Sequence, residues 1–346
     1  MEYRALGRSG LQVSRLCLGT MTFGQDGWGC EEDESRRIVD AYLDAGGNFF
    51  DCADVYGNGR SEEILGRAIA SRRSDVVITS KAGMRTAQGP NGVGLSRAHM
   101  QDALHASLRR LGTDYIDVYF THFFDANTPL EETLGTLDDF VRAGKIRYVG
   151  VSNFFAWQLG QAATVARDIG AAPIVSCQAM YNLIRRDLER EHFAACQEFG
   201  MGLVTWSPLH SGVLANGLTT ADEPPPGSRA AAGPGVRKTY LGDERVDQVV
   251  RGLSDVAEQA GVSRSALAMG WILRRPEITS VLTGIQHVDE LTSNIAAFDL
   301  PVDDTVWKEL DRVTALPTSY PTDFYERLPA TLNFYASPTP AEVRPG

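Results

Sequence analysis

The sequence predicts an α/β protein: a single (β/α)8 TIM barrel over residues 1–346, with an N-terminal β-hairpin, a long loop after the seventh barrel strand and an irregular C-terminal tail over 314–346. Three observations lead there. Short apolar runs alternate with stretches of helical spacing eight times, and no compositional break interrupts them. Side chains able to handle protons stand at the ends of successive apolar runs, where parallel α/β proteins build their sites. The length, 346 residues, suits one large barrel.

The elements follow in order. Tyr3–Leu6 and Leu11–Ser14, joined through Gly7-Arg8-Ser9-Gly10, read as a hairpin. Arg15–Gly19 is the first barrel strand. Glu31–Ala45 carries Ile38, Ala41, Tyr42 and Ala45 at helical spacing and stops at Gly46-Gly47. Phe49–Asp51 is the second strand, and Ser61–Ala70 the helix after it. Val76–Lys81, Ile116–His122 and Ile146–Val151 are further strands. Ser96 caps a helix whose apolar face is Met100, Ala103, Leu104, Leu108 and Leu111. Thr128-Pro129-Leu130-Glu131 reads as a capping box opening a helix to Gly144. Ile174–Ala179 and Leu203–Trp206 are short strands. Ser263 caps a helix through Leu273, Ser280–Thr283 is the last strand, and Asp289–Phe298 the last barrel helix. Gly212–Leu241, with Pro224-Pro225-Pro226-Gly227, reads as a long loop, and such loops are usually functional or disordered. The tail is proline-punctuated and aromatic, with Tyr320, Phe324, Tyr325, Phe334 and Tyr335.

Composition excludes several function classes. The net charge is −11, and no basic run exceeds an arginine pair, so a nucleic-acid partner is not expected. The five cysteines (Cys17, Cys30, Cys52, Cys177, Cys196) are scattered and form no C-x-x-C, which argues against a disulfide framework or a zinc site; no metal is expected. No stretch has the length and apolarity of a membrane span or a signal h-region, so the expected compartment is the cytoplasm, with no membrane partner. Gly57-Asn58-Gly59 lacks a third glycine, since Glu62 stands there, and Gly144-Lys145 is followed by Ile146. Neither a dinucleotide fingerprint nor a P-loop is present, and a nucleotide must be held in another way.

The catalytic candidates are Asp51, Tyr56, Lys81 and His122. Asp51, Lys81 and His122 end three successive strands, and Tyr56 hangs on the turn after the first. A free tyrosine has a pKa of roughly 10. A cation beside it favours the phenolate, making the phenol a better acid near neutral pH. Lys81 is placed to supply that charge, Asp51 to pair with Lys81, and His122 to orient a substrate oxygen or to take part in the proton transfer.

An acid, a tyrosine, a lysine and a histidine in this order resemble the aldo-keto reductases. The resemblance runs from about Tyr3 to Val313. It includes Gly19-Thr20-Met21, Gly150-Val151-Ser152-Asn153-Phe154, Gln178 with Tyr181-Asn182, and Trp206-Ser207-Pro208-Leu209. It implies that the hairpin closes the bottom of the barrel and that Tyr56 is the acid in an NAD(P)H-dependent reduction of an aldehyde or ketone. Gly19, Thr20, Met21 and Asp51 join the cofactor set on the same ground. Ser152, Asn153 and Gln178 match the groups that hold a nicotinamide carboxamide, and Tyr181 the aromatic that stacks on the ring. Trp206, Ser207, Pro208, Leu209, Ser211 and Gly212 match the loop that meets the pyrophosphate.

The resemblance leaves two matters open. For the cofactor, Gly284 is followed by Ile285 and Gln286, so an arginine usual in many members is missing. Glu290 stands where a glutamine is usual, while Asn294 matches. Ser228-Arg229 matches a branch in which the arginine reaches the 2′-phosphate, so NADP(H) is favoured, with NAD(H) as the alternative. For function, Gly94-Leu95-Ser96-Arg97, Thr128–Thr133 and Pro225–Arg229 resemble the potassium-channel β-subunit branch, which implies a redox-sensing module as a second reading. That branch commonly has asparagine where this chain has His122. A dehydrogenase of an activated sugar or another polyol is a third. Trp28, Phe123 and Phe124, with Tyr56 and His122, are the substrate candidates, and their rings suit an apolar or ring-containing carbonyl compound. The aromatic tail is long enough to fold over them.

Overall fold

The computed structural model describes residues 1–328. Strands β1 (Tyr3–Ala5) and β2 (Gln12–Ser14) pair antiparallel, Arg4 opposite Val13. The turn after β1 presses on the barrel: at Gly7, with φ +59°, a Cβ would stand 2.3 Å from the Val175 carbonyl oxygen and 2.5 Å from that of Gly200. Only glycine fits both the conformation and the space. Leu6 and Val13 then enter the barrel interior, packing with Cys17, Phe49, Val77, Val118, Phe120, Val175 and Val204. The hairpin thus plugs the end at which the strands begin.

Eight parallel strands close on one another: β3 (Leu16–Gly19), β4 (Phe49–Asp51), β5 (Val77–Ala82), β6 (Ile116–Thr121), β7 (Ile146–Ser152), β8 (Ile174–Met180), β9 (Gly202–Trp206) and β10 (Ile278–Gly284), with β10 pairing β3. They are buried almost throughout, which is why they read as continuous apolar runs. Helices α1 (Glu32–Asp44), α2 (Arg60–Ile69), α3 (Arg97–Leu111), α4 (Leu130–Arg142), α5 (Ala156–Asp168) and α6 (His192–Phe199) follow β3 to β8 in turn. The main core lies between this wall and the helices, from Leu16 and Ile38 to Trp307 and Leu310.

Ser96 caps α3 by accepting the His99 N–H at 3.4 Å. The capping box at Thr128 does not form. Pro129 is the capping residue of α4, and the Thr128 hydroxyl instead donates to Asp125 Oδ2 at 2.7 Å. Glu132, further along, accepts the Arg97 N–H.

The stretch expected as a long loop contains α7 (Val213–Asn216), a 3-10 turn at Arg229–Ala231 and α8 (Pro234–Leu241). Pro234 starts α8 because a proline at the first turn costs no hydrogen bond. Helices α9 (Arg245–Ala260) and α10 (Arg264–Leu273), the latter capped by Ser263, lead into β10, followed by α11 (Val288–Ala296) and α12 (Asp304–Val313). The start of the tail runs along an arginine row. Arg186 donates to Thr314 Oγ1, Arg245 to the carbonyls of Thr314 and Ala315, and Arg190 to that of Pro317; α13 (Thr322–Arg327) follows. Phe334 and Tyr335 lie outside the described residues. All five cysteines are buried with free thiols, and no helix among the described residues is long and apolar enough to cross a membrane.

Candidate active site

The site is built at the carboxyl ends of β4 and β5. Asp51 is the last residue of β4, and Lys81 the fifth of β5; neither is more than 1 % exposed. Lys81 Nζ donates to Asp51 Oδ2 at 2.6 Å, to the Cys52 carbonyl at 2.7 Å and to Tyr56 Oη at 3.3 Å. An ammonium has three N–H groups, so this set is complete. Asp51 Oδ1 accepts from Thr79 Oγ1 and from Gln178 Nε2, both at 2.7 Å. Its two oxygens are therefore locked from two other strands, β5 and β8. Tyr56 is delivered by a tight turn, its N–H donating to the Ala53 carbonyl at 3.1 Å, with Gly57 at φ +55° and Asn58 at φ +53° directly after it. The His122 ring stands edge-on to Tyr56, centroids 6.0 Å apart.

The charges settle accordingly. Burial lowers the Lys81 pKa, but the Asp51 carboxylate and Tyr56 outweigh it and the ammonium is held above its ordinary value. Tyr56 departs from the sequence expectation. Burial raises its pKa, and this exceeds the lowering by Lys81, so the phenol sits above its ordinary value of 10 and stays protonated. His122 is pushed down to about 3, by burial first and by the Lys81 charge second, so its ring is neutral.

A cleft of about 1020 Å³ opens over this set and runs across the strand ends. Gly19, Met21, Trp28, Asp51, Tyr56, His122, Phe123, Ser152, Asn153 and Gln178 line its near part. Trp206, Ser207, Pro208, Leu209, Ser211, Gly212, Arg229, Gly284, Gln286, Glu290 and Asn294 line the remainder. Lys81 lies sealed beneath the lining, and three further predicted residues are elsewhere. Tyr181 is fully buried in the helical layer, stacked on Trp271 at 5.4 Å, with its hydroxyl donating to Glu189 at 2.6 Å. The aromatic that lines the cleft beside the Asn153 amide is Trp206, whose Nε1 donates to Asn153 Oδ1. Thr20 is buried in a structural bond, its hydroxyl joined to Ser61 Oγ at 2.8 Å and donating to the Asp51 carbonyl. Phe124 faces away and packs on Phe154 and Trp157, while Phe123 faces in. The tail up to residue 328 contributes nothing to the lining.

Gln25, Val55, Met84 and Ser228 also line the cleft and were not singled out as site residues. Met84 lies three residues past Lys81 and Ser228 directly before Arg229, so proximity to flagged residues was the available signal.

The remote arm of the cleft fits a phosphate-bearing nucleotide. The buried hydroxyls of Ser211 and Ser228 have no partner among the described residues. Ser207, His210, Ser211 and Gly212 all have positive φ, at 58°, 51°, 56° and 86°, and such concave turns gather anions. Arg229 makes no ion pair among the described residues; its guanidinium lies 5.5 Å from the Trp28 ring centroid and 5.6 Å from that of Tyr240. At the other end Ser152 donates to the Gln178 carbonyl, and Asn153 Nδ2 to the His122 carbonyl at 3.0 Å, a set of amides and hydroxyls suited to a carboxamide.

Comparison with known proteins decides the family: residues 15–315 match the Aldo/keto reductase family. The chain belongs to it. Among relatives of this aldo/keto reductase, a probable voltage-gated potassium channel subunit beta of Oryza sativa subsp. japonica is 40% identical over 309 residues, covering 87% of this chain and 92% of the relative. An uncharacterized oxidoreductase of Bacillus subtilis is 35% identical, covering 90% and 96%. A versiconal hemiacetal acetate reductase of Aspergillus parasiticus is 34% identical, covering 86% and 92%. Family and relatives together support an oxidoreductase function for this aldo/keto reductase, and its family generally uses nicotinamide cofactors.

Proposed function

We propose that the protein reduces an aldehyde or ketone to an alcohol with NADPH, Tyr56 acting as proton donor. The observation that carries this is the Lys81 ammonium, held by Asp51 and pointed at the Tyr56 hydroxyl on the floor of the cleft. When bound, the nicotinamide supplies the hydride that adds to the carbonyl carbon. Tyr56 Oη gives its proton to the carbonyl oxygen, and Lys81 stabilises the phenolate left behind. Neutral His122 can hydrogen-bond the same oxygen without competing for the proton. Ser152, Asn153 and Gln178 hold the carboxamide, Trp206 covers the ring, and the 207–212 turn with Ser228 and Arg229 takes the phosphates.

The carbonyl end of the cleft favours an uncharged substrate with an apolar or ring-shaped body. Trp28, Val55, Met84 and Phe123 line it, and Gln25 is its polar rim. The neighbouring Asp26 is paired with Arg60.

The test is Tyr56→Phe. Turnover with an aromatic aldehyde should fall by about 10²–10⁴-fold, while NADPH affinity by fluorescence titration stays near wild type. A variant that turns over at the wild-type rate sinks the assignment of the acid. The name of the rice relative favours a second reading, a nucleotide-binding module that reports redox state to a channel. Tight nucleotide binding with no turnover on any carbonyl in a broad screen would favour it.

A further inference from the structure

Behind the strand wall, facing away from the cleft, lies a buried cluster that the proposed reaction does not use. Asp54 is 3 % exposed, and neither of its carboxyl oxygens has a hydrogen-bond partner among the described residues. Such groups are rare and call for an explanation. Glu62 of α2, fully buried, accepts from Ser80 Oγ of β5 at 2.5 Å and from Arg110 of α3 at 2.6 and 2.7 Å. Tyr119 of β6, paired in register with Ser80, presents a buried hydroxyl that also lacks a partner among the described residues.

The charge count decides the state of this cluster. Two carboxyl groups share one guanidinium, and Glu62 already holds it. Burial and the Glu62 charge outweigh what the shared Arg110, the Val55 N–H and the more distant Lys81 offer a second carboxylate, so the site keeps a proton instead. The groups that face Asp54 are Glu62 from α2, Arg110 from α3, Lys81 from β5 and Tyr119 from β6. The link to the active site is short. The Asp54 N–H donates to the Lys81 carbonyl at 3.3 Å, and Tyr56 follows two residues later on the same turn.

We propose that Asp54 is a positioning residue whose proton, kept by the Glu62–Arg110–Tyr119 cluster, sets how the rate of carbonyl reduction responds to pH. Protonated Asp54 leaves the Lys81 charge undiluted at Tyr56. When Asp54 releases its proton, a negative charge appears behind Lys81, disfavours the phenolate and makes Tyr56 a poorer donor. Burial first and the Glu62 charge second push the Asp54 carboxyl up to about 7. Tyr56, Lys81 and His122 titrate well outside the neutral range, Tyr56 and Lys81 above their ordinary values and His122 at about 3.

The inference rests on Tyr56 as proton donor for its effect on rate, but the Asp54 proton itself can be observed without turnover. In the wild-type protein, a protonated-carboxyl infrared band should titrate near neutral pH, and Asp54→Asn should abolish it. Turnover of the wild type should fall about 3–10-fold between about pH 6 and pH 9. That of Asp54→Asn should stay level at the wild-type acid-side value. No such band in the wild type, or rate profiles of the same shape in both proteins, overturns the proposal. If the variant does not fold, the wild-type infrared titration alone decides. A titrating Asp54 band in Tyr56→Phe, together with undiminished turnover of that variant, would fault the proton donor and not the Asp54 proton.

Discussion

Each side chain at the site is defined by what its neighbours leave it free to do. Arg229 is free to meet an anion because, among the described residues, it has aromatic rings beside it and pairs with no carboxylate. Glu290, which would disfavour a 2′-phosphate, is occupied: its Oε2 accepts the Gln286 N–H at 2.8 Å. The expected result is that Arg229→Ala weakens NADPH by roughly 1.5–3 kcal/mol, the worth of a bond to a charged group, and leaves NADH nearly unchanged. Titration of both nucleotides checks this; equal losses would remove Arg229 from phosphate recognition. The residues at and under the cleft were legible where a strand end announced them, as with Asp51, Lys81 and His122, while Gln178 was legible only through the family resemblance. Tyr181, Thr20 and Phe124 were misplaced because neighbouring residues at a strand end face opposite ways. One step beyond the strand, that alternation can no longer be counted from sequence. The net rise at Tyr56 was hidden for another reason, since burial of a hydroxyl is a property of the closed fold.

Among elements, the strands were the most legible, because a run buried on both faces needs no periodicity to be seen. Helices α7 and α8 were not. They are short, and the glycines and prolines around them read as loop. The capping box failed at Thr128 because Asp125, three residues earlier, takes its hydroxyl. The hairpin was recognised, but its fit against the barrel depends on one position. At Gly7→Ala the new methyl meets two carbonyl oxygens in a left-handed turn. The expected cost is about 3 kcal/mol or more, seen as a lower denaturation midpoint. Carbonyl turnover at low temperature should persist, because the site lies at the opposite end. A variant as stable as wild type would show that the hairpin is not seated there.

At the scale of the molecule, buried neutral histidines set the acid side of stability. His210 donates through Nε2 to the Tyr240 carbonyl and accepts from Asn182 through Nδ1, a pattern only the neutral ring can make. Burial first, and Arg185 second, push it down to about 4, and His122 is near 3. Below the ordinary histidine value of 6.5, the unfolded chain binds protons that the folded one refuses. Stability should therefore fall as pH drops from 6.5 toward 4. The thermal midpoint should decline over that window, and less steeply in His210→Gln; parallel slopes would rule this histidine out. The sealed cysteines carry a last consequence. Cys17 sits inside the barrel, while Cys177 of the wall and Cys196 of a covering helix meet in the layer between the two, all closed to solvent. A thiol reagent can reach Cys17 only when the barrel interior opens, and Cys177 and Cys196 only when the helices part from the wall, so labelling times would rank these two layers by their private unlocking rates. The chain carries its own set of clocks, wound at different depths.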